Sequence, residues 1–139
     1  MPPLIEQLLE KNPQTLKIVF KNLPLTSIHN MAEPASLASL AAHNQGKFWQ
    51  MHDAIFAMKA QITPAKLDAA AQEIGLDMLK FNADRNSEAV KRKLTKDLAD
   101  AKAAQVSGTP TLFVNGRRVK DRSLDALQKI VDEEVAKTK

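Results

Sequence analysis

Three histidines, His29, His43 and His52, are the residues of this 139-residue chain best suited to acid–base or metal chemistry, and their spacing supports neither. None stands three or four residues from another, and no His-Glu-x-x-His run occurs, so no helix face offers two of them to one metal ion. His52 falls in the stripe Phe48, Trp49, Ile55 and reads as a packed histidine; base catalysis would also need a nucleophile and an orienting partner. His52-Asp53 is an adjacent pair, expected to point in different directions on a helix. Ser27, Ser36 and Ser39 lie outside any Gly-x-Ser-x-Gly elbow, which argues against a hydrolase. The four glycines are too dispersed to cradle a phosphate. With no cysteine, the chain can form no disulfide, thiolate nucleophile or zinc-thiolate centre.

What remains is backbone chemistry, concentrated in Val106-Ser107-Gly108-Thr109-Pro110-Thr111-Leu112-Phe113-Val114-Asn115-Gly116. Thr109 is β-branched and precedes proline, and both effects push it into the extended region. Thr111 to Val114 is rich in strand formers, and Asn115-Gly116 is the preferred pair for a two-residue type I′ turn. Arg117 to Lys120 is the returning strand, so the stretch predicts a hairpin entered through a Gly-Thr-Pro turn.

The elements around it follow from apolar periodicity. Leu4, Ile5, Leu8 and Leu9 after Pro2-Pro3 predict a short helix that ends at Asn12-Pro13. Leu16 to Lys21 reads as a strand with Leu16, Ile18 and Phe20 on one face. From about Ala32 to Asn86 the pattern is helical: Leu37, Leu40 and Ala41 mark one stripe, and Phe48, Trp49, Ile55 and Phe56 a second, which reads as core. Gly46 separates the two. Thr63-Pro64 is an N-cap with proline at the first helical position, Gly75 suits a left-handed C-cap, and Asp77 starts a further short helix. Ser87 caps a helix to about Gln105 with Val90, Leu94, Leu98 and Ala101 down one side, and Ser123 caps a last helix carrying Leu124, Leu127, Ile130 and Val131.

With 44% apolar and 26% charged residues, a folded globular domain is expected. No apolar run approaches the length of a membrane span, and the residues after Met1 lack a signal-peptide pattern. The formal charge of +4 is gathered in Lys91-Arg92-Lys93 and in Arg117, Arg118, Lys120 and Arg122. One Trp, five Phe and no Tyr leave these clusters without interleaved aromatics, so they read as solvated surface rather than a nucleic-acid site.

Three stretches now stand in one order: Ile18-Val19-Phe20-Lys21-Asn22-Leu23-Pro24-Leu25, Gln45-Gly46-Lys47-Phe48-Trp49-Gln50-Met51-His52-Asp53, and Ser107-Gly108-Thr109-Pro110-Thr111 with Asn115-Gly116. Along nearly its whole length the chain resembles the DsbA-like thiol-disulfide oxidoreductases of the thioredoxin superfamily. The resemblance implies an incomplete α/β thioredoxin-like fold in the order helix, strand, helical insertion, β-hairpin, helix. It implies one domain over 1–139, with 1–29 and 106–139 as the thioredoxin-like part and 30–105 as the insertion. It raises the expectation of a cis bond at Thr109-Pro110, and it marks Thr109 and Pro110 as the substrate-binding residues, beside which an extended peptide pairs with the backbone. No catalytic residue, metal or cofactor is assigned.

In that family a first strand runs into a Cys-x-x-Cys at the start of the helix that resembles Pro3 to Glu10, where the helix N-terminus activates the thiol. This chain keeps much of the helix and none of the thiol. The resemblance therefore implies that Met1 corresponds to an internal methionine, with about 30 residues carrying the first strand and the cysteine pair lying upstream. The parent activity would be dithiol-disulfide exchange on protein or peptide substrates in the periplasm, with no nucleic acid or membrane as partner. The chain itself would be redox-inactive. The alternative is a non-catalytic peptide-binding or assembly module that uses the same loop and open strand edges. Without the central first strand, the expectation is a homodimer that closes the sheet, or antiparallel pairing of Leu16–Lys21 with Thr111–Val114.

Overall fold

Local capping accounts for most of the helices. The computed structural model describes all 139 residues, in the order α1 (Pro3–Lys11), α2 (Ala32–His43), α3 (Phe48–Ala57), α4 (Pro64–Glu73), α5 (Met78–Arg85), α6 (Glu88–Ala103), β1 (Phe113–Val114), β2 (Arg117–Arg118) and α7 (Leu124–Ala136). The side chains of Thr63, Asp77, Ser87 and Ser123 each accept a hydrogen bond from the amide three residues on, at 3.1–3.3 Å, at the starts of α4 to α7 other than the strands. Pro3 opens α1, where its missing N–H is no loss, and Gly75 follows α4 in the left-handed region with φ +82°. No helix is long and apolar enough to cross a membrane.

The chain forms two compact units. The helical unit spans Lys21–Gln105 together with Met1. Its core is alanine-rich, with Ala38, Ala41, Ala42 and Ala71 fully buried around Met51, Leu67 and Phe81. Small side chains along α2 let α3, α4, α5 and α6 all pack against it. The turn Gln45-Gly46-Lys47 ties the connections together. The Gln45 side-chain amide exchanges two hydrogen bonds with the Asp77 backbone, at 2.9 and 3.1 Å, and Lys47 Nζ donates to the Ile74 carbonyl at 2.6 Å. Gly46, at φ +72°, makes the bend.

The expected stripe on α6 holds for Val90 and Leu94, which are buried against Leu40, but Leu98 is 39% exposed. Asp97, at 1% exposure, is buried in its place. At 100° per residue Asp97 lies only about 20° from Val90 around the helix, whereas Leu98 lies about 80° away. The Asp97 carboxylate accepts the Asn22 amide at 3.0 Å and Lys93 Nζ at 2.5 Å. Beside it Asp100 accepts Lys21 at 2.6 Å and Lys96 at 2.9 Å, and these cations pull its carboxyl down to about 2. Segment 21–22 is thus latched to α6 by two carboxylates.

The second unit comprises Pro2–Phe20 and Val106–Lys139. Leu8 of α1, Leu127 and Val131 of α7, and Val119 form its small core, with Leu4, Leu16, Leu112 and Val114 around them. Asn12 ends α1, and its side-chain amide pairs reciprocally with that of Gln128 at 2.7 and 3.0 Å.

The strand expected over Leu16–Lys21 does not form. Leu16 and Ile18 are half-buried while Lys17 and Val19 face outward, so the alternation of a strand persists, but extended backbone becomes a strand only by pairing. The expected antiparallel pairing with Thr111–Val114 is likewise absent, and the sheet is two-stranded. Leu16 and Val114 both line a cavity of about 220 Å³, with Val131 and Val135.

Candidate functional site

The hairpin follows its turn chemistry. Asn115 (φ +48°) and Gly116 (φ +80°) both take positive φ, as a type I′ turn demands, and the pairs are Phe113 with Arg118 and Val114 with Arg117. The strands are shorter than the sequence predicted, although the Val119 amide still donates to the Leu112 carbonyl at 2.9 Å.

This register sorts side chains onto two faces. Leu112, Val114 and Val119 turn into the core of the unit, with Arg117 on the same side donating to Glu133 and Glu134 of α7 at 2.9 and 3.0 Å. These carboxylates raise the pKa of Arg117, and Lys137 with Arg117 draws Glu134 down to about 2. Phe113, at 41% exposure, occupies the opposite face with Arg118, whose guanidinium lies 5.8 Å from the ring centre.

Backbone groups alternate in the same way. Leu112 directs its carbonyl to β2, so the N–H and C=O of Thr111 and Phe113 point to the other edge, where no strand pairs with them.

The entry turn leads into this edge. Thr109 and Pro110 are exposed, and the peptide bond between them is cis. Thr111 Oγ1 donates to the Gly108 carbonyl at 2.7 Å, and Arg122 donates to the Pro110 carbonyl at 3.1 Å. Two carbonyls of the loop are therefore occupied, whereas the Thr109 N–H and C=O have no partner in the chain. The loop bends at Gly108–Pro110 and presents the backbone of Thr109 to solvent, where an extended peptide can pair with it.

Arg122, expected as solvated surface, is instead bonded to the loop. The hairpin register, continued one residue beyond the Val119–Leu112 bond, sets Lys120 beside Thr111, but only the side-chain bond brings Arg122 to Pro110.

The titratable residues considered at the outset lie elsewhere. His52 is packed as expected, at 4% exposure, ring-stacked on Phe56 with centroids 4.3 Å apart and edge-on to Trp49 at 5.2 Å. Its pairing with Asp53 departs from expectation, because Nδ1 lies 3.1 Å from Asp53 Oδ1. Neighbours 100° apart on a helix can still meet when the shorter side chain folds back over the backbone. Asp53 also accepts the Met1 amine. Phe56, expected in the core, is 64% exposed. The Gln45–Asp53 stretch is thus scaffold.

The helix, hairpin and helix, with the Gly-Thr-Pro turn at the strand entry, define a thioredoxin-like fold. A family model described as the DSBA-like thioredoxin domain matches residues 4–132, and the chain belongs to that family. Its lack of cysteine agrees with a member that does not carry the Cys-x-x-Cys segment. The fold is shared with a thioredoxin-like oxidoreductase from Silicibacter pomeroyi DSS-3 (TM-score 0.73, 23% identity, covering 95% of this chain and 75% of that one). It is also shared with the oxidoreductase DsbA from Xylella fastidiosa (TM-score 0.68, 22% identity, covering 97% and 77%). Among curated proteins the chain is 41% identical over 106 residues to one named Na(+)/H(+) antiporter NhaA 1 from Salinispora arenicola, covering 74% of this chain and 16% of the relative. It is also 41% identical over 106 residues to the Na(+)/H(+) antiporter NhaA of Herminiimonas arsenicoxydans, covering 76% of this chain and 16% of that protein. The chain thus spans about a sixth of the length of these curated relatives.

Proposed function

We propose that this chain is the peptide-binding body of a DsbA-like thiol-disulfide oxidoreductase whose cysteine pair lies outside the residues present here. The observation that carries the reading is the exposed Thr109-Pro110 turn, with the Thr109 backbone unpartnered beside an open strand edge. An extended protein segment pairs with Thr109, and a thiolate supplied from the missing segment attacks its disulfide; the second cysteine then resolves the mixed disulfide. Residues 1–29 and 106–139 act as the thioredoxin-like part and 30–105 as its helical insertion. The extended segment over 16–19, which joins no sheet, and the open edge at Thr111 and Phe113 are where a further central strand fits, supplied by the same longer chain or by a partner copy. The parent protein works in the periplasm, where exchange on protein disulfides is needed.

Alone, the chain is redox-inactive for want of a thiol. A second reading is favoured by that same fact together with the small share of the curated relatives that the chain covers: a binding or assembly module acting as one part of a larger protein.

Insulin reduction by dithiothreitol separates the two. The chain alone is expected to leave the rate unchanged, and a longer natural product bearing Cys-x-x-Cys ahead of α1 to raise it. A longer product without that pair, still binding an unfolded protein, would replace the first reading by the second.

A further inference from the structure

The geometry points to an acidic peptide as the occupant of the Thr109-Pro110 turn: an extended segment bearing Asp or Glu side chains, selected by Lys120 and Arg122. This inference rests on the peptide-binding reading above. On one strand face successive side chains recur every second residue, and directly cross-strand residues share a face. From the observed Phe113–Arg118 pair and the Val119–Leu112 bond, that rule carries Arg118 and Lys120 along the same face as Phe113 and Thr111, while Arg122 is placed beside Thr109-Pro110 by its own side-chain bond. The Arg122 guanidinium reaches the loop itself, donating to the Pro110 carbonyl at 3.1 Å.

The charges of this region are divided by face. Arg117 is neutralised on the core side by Glu133 and Glu134. Asp121, between the two selecting cations, is turned away to accept the Ser123 amide at 2.9 Å, a bond that lowers its pKa. Lys120 is exposed and makes no hydrogen bond or ion pair within the chain. Arg122 uses one nitrogen on Pro110, and the rest of its planar guanidinium remains able to take a carboxylate. A peptide paired with Thr109 places alternate side chains over this face, within reach of both cations. Complementarity of this kind selects partners more than it adds affinity.

The test uses the full chain and three fluorescein-labelled ten-residue peptides, identical except that alternate positions carry Asp, Ser or Lys. Anisotropy titrations are expected to give about tenfold tighter binding of the Asp peptide than of the Lys peptide at low salt, as two exposed ion pairs allow. The gap is expected to close in about 0.5 M NaCl, where screening is strong. Lys120→Glu alone should shrink the preference, and Lys120→Glu with Arg122→Glu should reverse it, with circular dichroism verifying that both variants fold. Equal binding of all three peptides would overturn the charge selection and leave peptide binding standing. No binding of any peptide would remove the peptide-binding reading, and this inference with it. An acidic preference unchanged in the double variant would overturn the assignment to these residues. Displacement of the Asp peptide by phosphatidylglycerol vesicles, with tighter binding to the vesicles, would replace the peptide by an anionic membrane surface.

Discussion

The helical unit and the hairpin unit satisfy their backbones in opposite ways. In the first, the helices from α2 to α6 bond within themselves, and the polar contacts at Gln45, Lys47 and Asp97 close the turns and loops between them. In the second, the segment after Leu16 joins no sheet and β1 pairs with one strand only. A helix carries its hydrogen-bond partners four residues away, whereas a strand must find them elsewhere in space. Unfinished business therefore collects in the hairpin unit, and that is where an extended partner can be received. The core sizes follow the same division: eleven buried residues cluster in the helical unit's main core, and four in that of the hairpin unit.

The comparison breaks most readily at the buried aromatic. Phe81→Ala empties the centre of the helical unit and is expected to cost about 3–5 kcal/mol, read as a lowered urea midpoint. A loss below about 1 kcal/mol would mean that this core is not closed around Phe81. Next comes the buried carboxylate. Asp97→Ala strands the Asn22 amide and should cost about 1–3 kcal/mol, while Asp97→Asn, which keeps an acceptor, recovers part of it. Equal losses for the two would show that the negative charge matters rather than the hydrogen bond. In the hairpin unit, Gly116→Ala meets no atom within 4 Å, so its expected cost of about 1 kcal/mol is purely that of holding φ at +80°.

The smallest effect is a pH dependence present in both units. Asp100 and Glu134 each titrate at about 2 in the folded chain, below the ordinary carboxylate range. A lowered folded-state value means that their contribution is complete above about pH 4 and fades as pH falls towards 2. Asp100→Asn and Glu134→Gln should each flatten the acid limb of stability against pH, modestly, because the lysines that pair with them are exposed and the pairs are screened by solvent. An acid limb identical to that of the parent chain in both variants would remove these ion pairs from the account.

The sequence was legible where structure is local. Thr63, Asp77, Ser87 and Ser123 identified their helices because a cap needs only the next three residues, and Asn115-Gly116 identified its turn for the same reason. Leu16–Lys21 misled because its apolar alternation is that of a strand while pairing depends on residues elsewhere. Asp97 was hidden since a charged residue on an apolar arc looks like the edge of the stripe until its partner Asn22 is seen across 75 residues of chain. At the site, Thr109 and Pro110 came from the Gly-Thr-Pro turn and a family resemblance. The place of Arg122 emerged only from its bond to the Pro110 carbonyl, which no local pattern announces.

The central claim is that Thr109 offers its backbone to an extended peptide, and amide hydrogen exchange of the full chain reads this directly. With a saturating Asp-bearing peptide, the Thr109 amide is expected to slow markedly while amides inside α4 keep their rates. An unchanged Thr109 amide at saturation, or protection confined to the helical unit, would contradict the account.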